Sequence, residues 1–81
     1  MLHESNLSPS TLDMQRALDS LREELEAVGW YRQRAEACSD PELRKILLHA
    51  MNEEKEHAAM LIKWIAENDA EFKEELEIHI V

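Results

Sequence analysis

The sequence predicts an all-α fold, an antiparallel hairpin of two long helices followed by a short third helix. Three observations predict it. One glycine and two prolines in 81 residues leave few chain breaks. No β-branched run alternates with polar residues at the period of a strand. Two long stretches repeat apolar side chains at steps of three and four, the spacing of one helix face.

Residues 1–9 are polar and unpatterned and are expected to form a flexible arm. Ser8-Pro9-Ser10-Thr11 then offers N-cap candidates, and Asp13, three after Ser10, suits the positive helix end. The first helix is expected from about Ser10 to Ala37. Its seam reads Met14, Ala17, Leu21, Glu24, Val28, Tyr31 and Ala35, with Leu18 and Leu25 widening the stripe. Ser39-Asp40-Pro41-Glu42 stops and restarts the chain, because Asp40 caps and Pro41 suits the first helical position. So short a connection forces an antiparallel hairpin. The second helix is expected over Pro41 to Glu67, with the seam Leu43, Leu47, Ala50, Glu54, His57, Leu61 and Trp64. Asp69 caps a third helix ending near Leu76, so that residues 10–76 form one domain and residues 77–81 a tail.

Two such helices, each extending on the order of 40 Å, cannot enclose a core. A chain this short also buries only about 60% of its unfolded surface. Self-association is the expected remedy, a twofold dimer of the hairpin forming a four-helix bundle.

Eighteen acidic against nine basic residues give a net charge of -9, which repels nucleic acid and anionic membrane surfaces and favours cations. No apolar stretch approaches the roughly 20 residues of a membrane span, and the N-terminus lacks a basic region followed by an apolar core. A soluble, cytoplasmic protein is expected. Cys38 is the one cysteine, which excludes an intrachain disulfide framework and a thiolate zinc cluster.

Glu54 and His57 break the apolar seam of the second helix, and Glu24 breaks that of the first. A buried carboxylate or imidazole needs a compensating neighbour. Di-iron and di-manganese four-helix bundles take one Glu from each of two helices and Glu-x-x-His from each of the other two. This chain carries half of that set, in Glu24 and Glu54-x-x-His57. Doubling across a twofold axis would complete four carboxylates and two imidazoles. Oxygen-rich ligation with one histidine per ion suits iron or manganese, with zinc and copper competing on affinity. Tyr31, two turns after Glu24, is placed to hydrogen-bond a ligand carboxylate or to reach the metal.

Blander readings exist for each residue. Glu-x-x-His arises by chance on charged helices, and Glu23, Glu26 and Glu36 read first as a solvated face, with an electrostatic path gathering cations toward Glu24 as their functional reading. Trp30, Trp64 and Phe72 read as packing residues. His49 flanks the second seam, and His3 and His79 fall in the terminal segments. Two other functions remain open: an acidic oligomerisation or adaptor module, in which Arg32 or another base pairs with Glu54 and His57, and a di-manganese or peroxide-reducing enzyme. For the latter a rubredoxin-type cysteine site is lacking.

The run Glu23-Glu24-Leu25-Glu26-Ala27-Val28-Gly29-Trp30-Tyr31, with Asp40-Pro41-Glu42-Leu43 and Glu53-Glu54-Lys55-Glu56-His57-Ala58-Ala59-Met60, closely resembles the encapsulated ferritins, over roughly residues 20 to 75. The resemblance implies a ferritin-like hairpin that dimerises around a di-iron ferroxidase centre and closes into an annular decamer. It implies Glu24, Glu54 and His57 as iron ligands, with Tyr31 beside them. Trp30, Glu23 and Glu26 match positions of metal uptake and secondary binding, where manganese, zinc or calcium would also be accepted. Its implied activity is oxidation of Fe(II) by dioxygen, with the product stored in an encapsulin shell. Gly29 stands where the family pattern leads one to expect an acidic residue. Members that are cargo carry a C-terminal targeting extension, whereas this sequence ends at Val81.

Overall fold

A computed structural model describes residues 5–80 and contains three helices, α1 (Pro9–Ala37), α2 (Pro41–Glu67) and α3 (Ala70–His79). Each begins at an oxygen-bearing cap. The Ser8 hydroxyl accepts from the Thr11 amide at 3.2 Å, Asp40 from Leu43 at 3.0 Å and Asp69 from Phe72 at 3.0 Å. Pro9 and Pro41 occupy the first turns of α1 and α2.

Several boundaries differ from expectation. The cap of α1 is Ser8, so the helix starts at Pro9, inside the expected arm, and Asp13 lies beyond the first turn. There it pairs with Arg16 at 2.8 Å. The third helix does not stop at Leu76 but continues to His79, whose Nε2 lies 3.3 Å from Glu75 one turn earlier. A histidine in the last turn suits the negative helix end. His3 and Val81 lie outside the described residues.

The turn carries a clasp that the sequence reading missed. Arg44, in the first turns of α2, donates from Nε to the Ala35 carbonyl at 3.1 Å and from a terminal guanidinium nitrogen to the Cys38 carbonyl. It thereby joins the Cys38 amide, which donates to the same Ala35 carbonyl at 3.3 Å, and gives the Cys38 carbonyl beyond the helix end a donor. Cys38 is half-buried, and its Sγ lies 3.5 Å from the Asp40 carbonyl.

Helix α1 packs along α2, and α3 touches α2 but not α1 among the described residues. On α1 the expected seam holds throughout: Ala17 and Ala35 are buried, and Met14, Leu21, Glu24, Val28 and Tyr31 are half-buried. On α2 it does not. The buried line is Met51, Ala58 and Ile65, spaced by seven, while Leu43, His57 and Trp64 of the expected seam are exposed. At about 100° per residue, the line Leu43, Ala50, His57, Trp64 is turned roughly 100° from the face that meets α1. It occupies the hairpin's edge.

The chain measures 49 × 34 × 14 Å, hardly more than one helix thick, and its radius of gyration of 16.1 Å exceeds the roughly 12 Å of a globule this size. Among the described residues, Ile65 alone of the large side chains is fully buried, whereas Ile46, Trp30, Met60 and Ile78 are each more than half exposed. Among the described residues, no helix is long and apolar enough to cross a membrane.

Candidate metal centre

Glu24 reaches the centre from α1, and Glu54 and His57, one turn apart, reach it from α2. One donor atom of each lies within 4.8 Å of the others. His57 Nδ1 stands 3.6 Å from Glu24 Oε2 and 3.9 Å from Glu54 Oε2. Both separations exceed those of a normal hydrogen bond. The three groups therefore converge without bonding one another.

The two carboxylates are 24% exposed and the imidazole 48%. Glu24 Oε2 is buried and has no hydrogen-bond partner, the one such side-chain atom among the described residues. An acceptor removed from water and left unpaired costs about 1–3 kcal/mol, more when charged. The two carboxylates, with ligand atoms within 4.8 Å of each other, also repel when both are ionised. A half-exposed imidazole does little to offset either cost. A cation among the three donors would answer both, and oxygen donors with one ring nitrogen fit a divalent first-row ion.

The other candidates stand apart from this group. Tyr31 is half-buried on the same face of α1, with the Arg34 guanidinium 5.7 Å from its ring centroid. Glu26 is held by Arg22 at 2.9 Å, Glu23 is exposed, and Trp30 is 51% exposed. Glu36 is exposed. His49 pairs with Glu53 at 2.6 Å on the surface. Arg32 is exposed and forms no ion pair with Glu54 or His57 among the described residues. Beside His57, Met60, Leu61 and Trp64 line an open depression whose walls are almost wholly apolar. The sequence reading passed over Met60, though its place three residues after His57 was a signal.

A solved structure shares this arrangement of chain, and further proteins resemble it in sequence. A crystal structure of protein ne0167 from Nitrosomonas europaea superposes with a TM-score of 0.94 at 52% identity, covering 99% of this chain and 89% of that one. The "Encapsulated ferritin-like protein" of Rhodospirillum rubrum is 50% identical over 74 residues, which are 91% of this chain and 53% of the relative. A "Ferritin-like protein" of Thermotoga maritima is 46% identical over 76 residues, 94% of this chain and 67% of the relative. The chain thus spans about half the length of the first of these curated relatives and two thirds of the second. The family model described as EncFtn-like matches residues 1–81, and with half of the aligned positions identical to an encapsulated ferritin-like protein, this chain belongs to the EncFtn-like family.

Proposed function

We propose that this protein is a ferroxidase, which takes Fe(II) as substrate and passes its electrons to dioxygen at a di-iron centre shared by two copies of the chain. The observation that carries the reading is the convergence of Glu24, Glu54 and His57 around a buried, unpaired carboxylate oxygen. The carboxylates supply the charge that draws Fe(II) from water. His57 supplies a nitrogen donor from the hairpin's edge, within reach of a second chain. Two Fe(II) ions each give up one electron, and dioxygen with two protons becomes hydrogen peroxide. A pair of ions needs two triads, and the exposed apolar edge of α2 supports a twofold dimer as their source. Tyr31 would orient a carboxylate, and Glu23, Glu26 and Trp30 would line the approach of the metal.

The names of the relatives support a wider setting. In it the dimers close into an annular decamer and deliver ferric product to an encapsulin shell in the cytoplasm. Manganese, zinc and calcium are alternative occupants of the same or secondary sites.

Anaerobic addition of Fe(II) followed by air tests the reaction. Wild type should build ferric absorption well ahead of iron in buffer, and Glu54→Ala should fall to that background. Equal rates in the two proteins would sink the assignment. An adaptor module without catalysis would show no cooperative rise in Tm with Fe(II), whereas the ferroxidase should.

A further inference from the structure

Tyr31 is the one tyrosine of the chain, and it lies half-buried on the line of α1 that faces α2, two turns after Glu24. Side chains on a helix lean toward its N-terminus, so the phenol leans back along α1 toward Glu24. Arg34 follows Tyr31 by one turn and brings its guanidinium to 5.7 Å from the ring centroid, within the range of a cation–π contact. Arg34 also stands in the last turn of α1, where a positive charge suits the helix end. That position explains the charge but not its place over the ring. Among the described residues Arg34 forms no ion pair, and the ring is what its guanidinium meets. Both groups belong to one chain, so the contact needs no surface left open by an assembly.

We propose that Arg34 is a positioning residue that acts through Tyr31 and sets how readily the phenol gives up an electron. The setting rests on the ferroxidase reading. Hydrogen peroxide left by one turnover meets a further Fe(II) and is split, giving Fe(III), hydroxide and a hydroxyl radical. That radical takes one electron and the hydroxyl proton from Tyr31 and becomes water, while Tyr31 becomes a neutral phenoxyl radical. Arg34 opposes this loss. Its guanidinium is attracted by the negative face of the intact ring, and removing an electron depletes that face and weakens the attraction. The contact therefore favours the reduced phenol, by the roughly two- to fivefold shift that an exposed contact of this kind supports. A tyrosine kept reduced remains able to hold a ligand carboxylate.

The test reads the tyrosyl radical of the full chain by freeze-quenched electron paramagnetic resonance under two conditions. In one, metal-free protein meets a photogenerated one-electron oxidant, a ruthenium(III) tris-bipyridine complex. In the other, Fe(II) and air are supplied and ferric absorption is recorded alongside. A single tyrosine assigns the signal, whose line shape differs from that of a tryptophan radical. Arg34→Gln should raise the radical yield by about two- to fivefold over wild type in both conditions. Arg34→Lys keeps the charge and should stay closer to wild type. Arg32→Gln removes an exposed charge one residue from Tyr31 and should match wild type. A wild-type yield from metal-free Arg34→Gln would overturn the proposal. So would an equal rise in Arg32→Gln, which would trace the effect to net charge alone. Normal iron oxidation with the same radical yield in wild type and Arg34→Gln would overturn it as well, and the ferroxidase reading would stand. Iron oxidation at the rate of iron in buffer would sink the ferroxidase reading, and the metal-free arm would then decide the role of Arg34 by itself.

Discussion

Two neighbouring stripes of α2 meet opposite surroundings. Met51, Ala58 and Ile65 lie against α1 and are buried, whereas Leu43, His57 and Trp64, a quarter-turn or so around the helix, stand at the hairpin's edge. Glu54 and Leu61 sit between them, half-buried. The covered stripe is apolar and finishes its packing within one chain. The edge stripe carries the ring-nitrogen donor His57, with Glu54 on its inner flank, and leaves its large side chains in water. Stability of the hairpin and chemistry of the site therefore rest on different residues of one helix, and substitutions should separate them.

The largest effect should fall on the covered stripe. Ile65 is fully buried, so Ile65→Ala should cost about 2–5 kcal/mol in urea unfolding of the metal-free protein. Trp64→Ala should cost the single chain less and weaken self-association instead, as sedimentation would read. Should Trp64→Ala prove the more damaging to metal-free stability, the division between the stripes is wrong. Next comes the turn, where Arg44→Ala removes two charge-assisted hydrogen bonds from the end of α1 and should cost about 1–2 kcal/mol.

At the site the sign should reverse. Glu24→Gln keeps the shape of the side chain while removing one of two facing carboxylates, and should raise metal-free stability by about 1 kcal/mol. The same variant should lose most of the Tm rise that a divalent cation gives to wild type. A drop in metal-free stability would mean that Glu24 is already compensated by protein groups. The smallest effect concerns Gly29, where an added Cβ would meet nothing within 4 Å. Gly29→Ala should therefore stabilise α1 by about 0.5–1 kcal/mol. Weakened association in that variant would reveal a second chain packed against this position.

Much of this was legible in the sequence, for reasons that individual residues make plain. Glu24, Glu54 and His57 could be found because each interrupts a three-four apolar spacing, and the limits of α2 because Asp40-Pro41 and Asn68 punctuate it. The covered stripe could not be separated from the edge stripe. Periodicity reports the width of an apolar sector, and on α2 that sector runs from Met51 round to Trp64, wide enough for more than one neighbour. Which part meets α1 depends on the roll of one helix against the other, a tertiary quantity. The start of α1 was missed by one residue because Ser8 and Ser10 are chemically equivalent caps, and only the backbone shows which hydroxyl is used. The last turn of α3 was missed because Glu77, Ile78 and His79 carry too little pattern to extend a helix. Arg44 gave no local sign, since its acceptors lie nine and six residues away across a turn.

The Arg44 clasp also sets a zero mark for the two long helices. From Ala35, whose carbonyl it holds, Glu24 lies eleven residues back along α1, and from Arg44 itself Glu54 lies ten residues forward along α2. At about 1.5 Å per residue these arms measure roughly 16 and 15 Å, so the two carboxylates arrive at nearly the same depth. Inserting one residue into either arm would slide its carboxylate by about 1.5 Å and rotate it by about 100°, and both helices would remain helical. The turn thus acts on the centre as a ruler, fixing by count of residues what no contact at the centre enforces.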